Sequence, residues 1–147
     1  MIHTILGSCI AVCLWDHHYK FGGMSHYILN QVPWGSGHAN NERNVKYGEI
    51  AIPYLIKLMK GFGSKESQIK AHVIGGGEHP QFPSPVGAQN AELADRLLSE
   101  LSIEVMTRDV KGSFGRKVIF NSGTGEVAIH KIHEIRKDSH GNCKTEN

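Results

Sequence analysis

Apolar residues run almost unbroken through CIAVCLW, residues 9–15. Apolar and β-branched side chains on both parities predict a central strand buried on both faces. The polar segment DHHYK, 16–20, leads into FGGMSHYIL, 21–29, which reads as the returning strand of a β-hairpin. Gly22 and Gly23 mark a bulge or a close backbone approach there. A loop rich in Gly and Asn follows over residues 30–44, a length that is often functional inside a compact domain.

The period then changes. YGEIAIPYLIKLMKGFG places Tyr47, Ile50, Tyr54, Leu55, Leu58 and Met59 at helical spacing and ends at Gly61 or Gly63. Pro53 inside it predicts either a late helix start or a kink, because it removes a backbone donor. IKAHVIGGG, 69–77, is a strand running into three glycines, and EHPQFPSP is a Pro-rich loop. AQNAELADRLLSEL, 88–101, restores the helical period. SIEVMTRDV, GRKVIFNSG and GEVAIHKIH read as three more strands, turning at Gly112 and at Gly123–Gly125. The order of elements predicts an α+β domain over residues 1–134 with a mixed sheet and two main helices. The polar segment 135–147 is expected to be a disordered tail.

Composition narrows the function classes. A net charge of +2, with no Lys/Arg run longer than two residues, excludes a nucleic-acid or acidic-membrane partner read from charge. No apolar run approaches the roughly 20 residues of a membrane span. No signal segment opens the chain, so the expected location is cytoplasmic. The cysteines are Cys9, Cys13 and Cys143, an odd number that does not make a disulfide framework.

Cys9 stands out because it follows Gly7-Ser8 at the mouth of a turn. With the hairpin centred between His17 and His18, facing residues have numbers that sum to 35, and Cys9 lies opposite His26. An odd loop would break that facing. A facing imidazole takes the thiol proton and lowers the thiol pKa. Gly7 and Ser8 let the chain turn so that backbone amides point at a developing oxyanion. The remaining features have plainer readings. Cys13 is core packing, and Gly75–Gly77 is a turn with no Lys-Ser/Thr to make a phosphate loop. His130 and His133 lack partners at zinc spacing, so no metal is expected. Cys143 is an idle thiol, and Glu78, Asp95, Glu100 and Glu104 are solvated charges.

Taken together and in order, ILGSCIAVCLWD, GGMSHYIL, YGEIAIPYLIKLM, IGGG, VGAQNAELA and DVKGSFGRKVIFNSGTGEV resemble the CheD family of chemoreceptor glutamine deamidases. The resemblance covers residues 3–132. It implies a single-domain sandwich related to cysteine deamidase toxins. It also implies hydrolysis of glutamine side-chain amides on methyl-accepting chemotaxis receptors, without cofactor or metal. Carried over residue by residue, it puts the nucleophile on Cys9 and the general base on His26. The third member falls on Thr4, with His3 as the alternative. Gly7 and Ser8 supply the backbone of the oxyanion site. The loops 30–44 and 78–86 would rim an open groove. The family also pairs with CheC-type phosphatases, so a module that regulates such a phosphatase is the competing reading. A general cysteine amidase or protease is a third.

Overall fold

The computed structural model describes residues 1–33 and 44–132, together with the backbone of 134–137 and 143–146. Its order is β1 (Ile2–Leu6), β2 (Ile10–Asp16), β3 (Phe21–Tyr27), α1 (Gly48–Gly61), β4 (Ile69–Gly75), α2 (Val86–Glu100), β5 (Glu104–Val110), β6 (Gly115–Phe120) and β7 (Val127–Ile132). The α+β class holds, and the strands β1–β7 form two sheets, one of them mixed. A three-stranded sheet runs β1-β6-β7, and a four-stranded sheet runs β3-β2-β4-β5. The second is mixed: β2 pairs antiparallel with both β3 and β4, while β4 and β5 are parallel across α2. Parallel neighbours need such a crossover, and α2 supplies it.

Three layers result. Even-numbered residues of β2, Ile10, Val12 and Leu14, pack with Tyr27 against Ile52, Ile56, Leu93 and Leu98 of the two helices. Odd-numbered Ala11 and Cys13 meet Leu6, Val118 and Phe120 of the three-stranded sheet. A strand between two layers must be apolar on both parities, which is why residues 9–15 show no alternation. Beyond Ile132, β8 (Glu134–Lys137) and β9 (Cys143–Glu146) pair with each other as a separate two-stranded ribbon.

Helix α1 is continuous through Pro53. Its buried face is Gly48, Ala51, Ile52, Ile56 and Met59; of the predicted row Tyr47 and Met59 are buried, while Leu58 is exposed. Small residues face the core because the helix lies so close to β3. A Cβ on Gly48 would stand 2.7 Å from the Tyr27 ring.

Candidate active site

The hairpin turn differs from the expected one. Asp16 is fully buried, and its carboxylate accepts the backbone N–H groups of His18 (2.8 Å) and Tyr19 (2.9 Å) and the Ser64 hydroxyl (2.5 Å). Asp16 therefore closes β2, and the loop is His17–Lys20. The hairpin centre moves one residue on, and facing numbers sum to 37: His26 lies opposite Ala11, not Cys9. A shift of two in the sum preserves parity. Cys9 precedes the paired ladder, but its side chain packs toward the three-stranded sheet, the same face as His26.

On that face β1 completes the arrangement. Ile2 and Leu6 point inward, so Thr4 does too, while His3 and Ile5 are exposed on the other side. Thr4 Oγ1 lies 2.8 Å from His26 Nδ1, joining the two sheets across their edge strands. Thr4 and His26 are thus brought together, and His3 is directed away from them.

The Gly7-Ser8-Cys9 turn is fixed from behind. Gly7 O accepts from Gly77 N–H and Cys9 O from Gly76 N–H, both at 2.8 Å. Ser8 O accepts from Asn90 Nδ2 at 3.1 Å. The peptides of the described residues are trans, so each carbonyl there opposes the N–H that follows it. Anchoring the carbonyls of Gly7 and Ser8 therefore turns the amides of Ser8 and Cys9 to the opposite side. β4 ends at Gly75, and Gly76 and Gly77 carry the chain on without regular structure, each donating to the cysteine turn. Gly75 has φ +115°, and a Cβ there would overlap Cys9 O. Only glycine admits that approach.

Three supporting residues were missed in the sequence. Asn90 also donates to Ile28 O at 2.7 Å, so one buried amide ties the cysteine turn to the end of the His26 strand. Arg116, 1% exposed, donates to Gly75 O and Lys111 O and pairs with Asp109 at 3.1 Å. Tyr27 donates its hydroxyl to Asn90 O. No hydrophobic period marks them: Asn90 and Tyr27 find partners more than 60 positions away, and Arg116 joins nearby Asp109 and Lys111 to distant Gly75.

The electrostatics correct another expectation. Cys9 is half-buried, and desolvation raises its thiol pKa above the ordinary 9.0, against a smaller lowering from a backbone hydrogen bond. Partial burial lowers the His26 pKa below its ordinary 6.5. Near neutral pH the resting pair is a neutral thiol beside a neutral imidazole, not an ion pair. Burial, and not a charged partner, sets both directions. Cys13 is buried in the layer between the sheets, and burial alone pushes its thiol up to about 12.

Glu78, His79, Phe82 and Ser84 line a cavity of about 250 Å³ together with Gly7, Ser8 and Phe114, which sets the 78–86 loop beside the cysteine turn. Most of the other predicted rim, residues 34–43, lies outside the described residues, as do His133 and the Cys143 side chain. His130 is exposed on β7. Asp95 pairs with Arg108 at 2.6 Å and Glu104 with Lys70 at 3.1 Å, both at the surface.

Comparison with known proteins gives the family. Residues 32–131 match the family model described as CheD chemotactic sensory transduction. The chain belongs to the CheD family. A probable chemoreceptor glutamine deamidase CheD of Trichlorobacter lovleyi is 40% identical over 132 residues, covering 87% of this chain and 78% of the relative. One from Sulfurimonas denitrificans is 35% identical over 140 residues, covering 91% and 85%. The chemoreceptor glutamine deamidase CheD of Halalkalibacterium halodurans is 34% identical over 145 residues, covering 92% and 88%. As a CheD protein it has no helix, among the described residues, long and apolar enough to cross a membrane.

Proposed function

We propose that this CheD protein is a glutamine deamidase that converts selected glutamines of chemotaxis receptors to glutamate, with Cys9 as nucleophile, His26 as general base and Thr4 as the group that orients His26. The observation that carries the reading is the 2.8 Å contact of Thr4 Oγ1 with His26 Nδ1, on the face that Cys9 shares. With Nδ1–H donating to Thr4, Nε2 keeps its lone pair for the thiol proton.

The steps follow from the resting charges. His26 Nε2 takes the Cys9 proton as sulfur attacks the carboxamide carbon, so thiolate forms only as it is used. The oxygen that becomes negative faces the amides of Ser8 and Cys9, whose directions are set by Gly77 and Asn90. The C–N bond breaks, the nitrogen takes the proton from His26, and ammonia leaves a thioester on Cys9. His26 then deprotonates water, which hydrolyses the thioester to the γ-carboxylate and restores the thiol. The named relatives act on chemoreceptors, and the open position of His26 on an edge strand suits a protein substrate.

The test is co-expression with a chemoreceptor, followed by mass spectrometry of receptor peptides for the amide-to-acid mass change. Conversion by the wild type and none by Cys9→Ala is the expected result. Equal conversion by both would overturn the assignment.

A further inference from the structure

A second concavity borders His26 on the side away from Thr4. It has a volume of about 220 Å³ and lies between β3 and α1, lined by Met24, Ser25, His26, Ala51, Leu55 and Leu58, with Val45 and Tyr54 at its rim. Its size is below that of pockets for drug-sized ligands and suits one side chain. Leu58 and Val45 are 43% and 42% exposed, so apolar surface stands open at its mouth. Ser25, 7% exposed, belongs to its wall and has a buried hydroxyl with no partner.

We infer that this pocket is a specificity subsite that takes a leucine or methionine side chain of the substrate, three or four residues from the target glutamine on the same helix face. The inference rests on the deamidase reading. His26 is the hinge of the geometry, since its imidazole meets Thr4 while the residue also forms a wall of the pocket. Residues three or four apart on a helix have Cβ atoms about 5–6 Å apart, a separation that spans one side chain. A helix presenting its glutamine to Cys9 can therefore place its neighbour across His26, against Leu55 and Leu58. The sequence pattern gave no sign of this use of α1. Tyr54, Leu55 and Leu58, read there only as part of a helical row, line the pocket, Leu55 while also packing on the core.

The experiment uses helical peptides with one glutamine and Leu, Ala or Asp at the third and fourth positions on either side, with ammonia release as the readout. With wild type, Leu at one of these positions should lower KM about tenfold relative to Ala, and Asp should raise it. Leu58→Glu, a change at an exposed site, should erase the preference for Leu while leaving the rate of Cys9 alkylation by iodoacetamide unchanged. Deamidation indifferent to these neighbours, or a preference that survives Leu58→Glu, would overturn the subsite and leave the deamidase reading standing. A preference at the second position instead would mean an extended substrate and would also overturn it. If the wild type releases ammonia from neither these peptides nor a whole chemoreceptor, the deamidase reading falls and the subsite with it.

Discussion

Replacing Asn90 with alanine should loosen the site without touching any group that reacts. Its side-chain amide donates to Ser8 O at 3.1 Å and Ile28 O at 2.7 Å. Those carbonyls belong to the cysteine turn and to the segment just after the His26 strand, so the amide is a brace between the two halves of the site. Truncation removes both bonds and leaves two partly buried acceptors. At the low end of the range for an unsatisfied group, suited to partial burial, each costs about 1 kcal/mol, and the lost packing adds somewhat more, giving about 2–3 kcal/mol. The domain should still fold, since total stabilities run to about 5–15 kcal/mol. Urea denaturation followed by tryptophan fluorescence measures the loss. Deamidation kinetics should show kcat falling more than stability alone explains under conditions where the variant is fully folded. Asn90→Asp separates bracing from size. An ionised carboxylate would face two carbonyls that it cannot bond, and only its protonated form can donate, so the introduced carboxyl has a raised pKa in the folded state. Its stabilising contribution is present at low pH and is lost as pH rises, so that variant should be more stable at pH 5 than at pH 8. A loss below about 0.5 kcal/mol in Asn90→Ala, with unchanged kcat, would refute the brace.

Three further outcomes are expected. Thr4→Val should lower kcat with little change in KM, because orientation of His26 counts most in the transition state, whereas His3→Ala, which alters an exposed side chain, should be near wild type; equal effects of the two would refute the assignment. The acid limb of kcat/KM should lie below pH 6.5, because His26 must be neutral and burial lowers its pKa; an activity that rises only above pH 8.5 would mean that a preformed thiolate is required. Gly75→Ala should destabilise the protein and slow deamidation together, since its φ is +115° and its Cβ would press on Cys9 O; a stable, active variant would show that the turn can relax.

The sequence pattern carried the burial of β2 on both faces, but not the register of its hairpin. Two-sided apolarity of residues 9–15 identified β2 as the inner strand, and an even loop was enough to put Cys9 and His26 on one face. The offset arose because Asp16 reads as a turn residue yet is buried as the last residue of β2, held by Ser64 from 48 positions away. Local periodicity cannot see such a partner. The same holds for Asn90, whose acceptors are 82 and 62 residues distant, and for Gly75, which needs its conformation because Cys9 O lies against it. On α1 the error had another origin. Apolar residues occupy nearly the whole circumference, and the buried stripe was decided by small residues at the contact with β3, which hydrophobicity alone ranks low.

The β1 strand has a consequence for how activity is acquired. Ile2 through Leu6 pair with Phe120 back to Arg116, so the first strand of the chain finds its neighbour only near the end. Contacts of such sequence separation are slow to form, because a long loop must close before they are rewarded. The β2–β3 hairpin, with its four-residue loop, can form early, and it already holds His26. Thr4 joins it only when the terminal strands have met. On a ribosome, that requires residue 120 to have emerged. Recovery of turnover after dilution from denaturant should then lag behind recovery of helical signal, and it times the closure of the longest loop in the molecule.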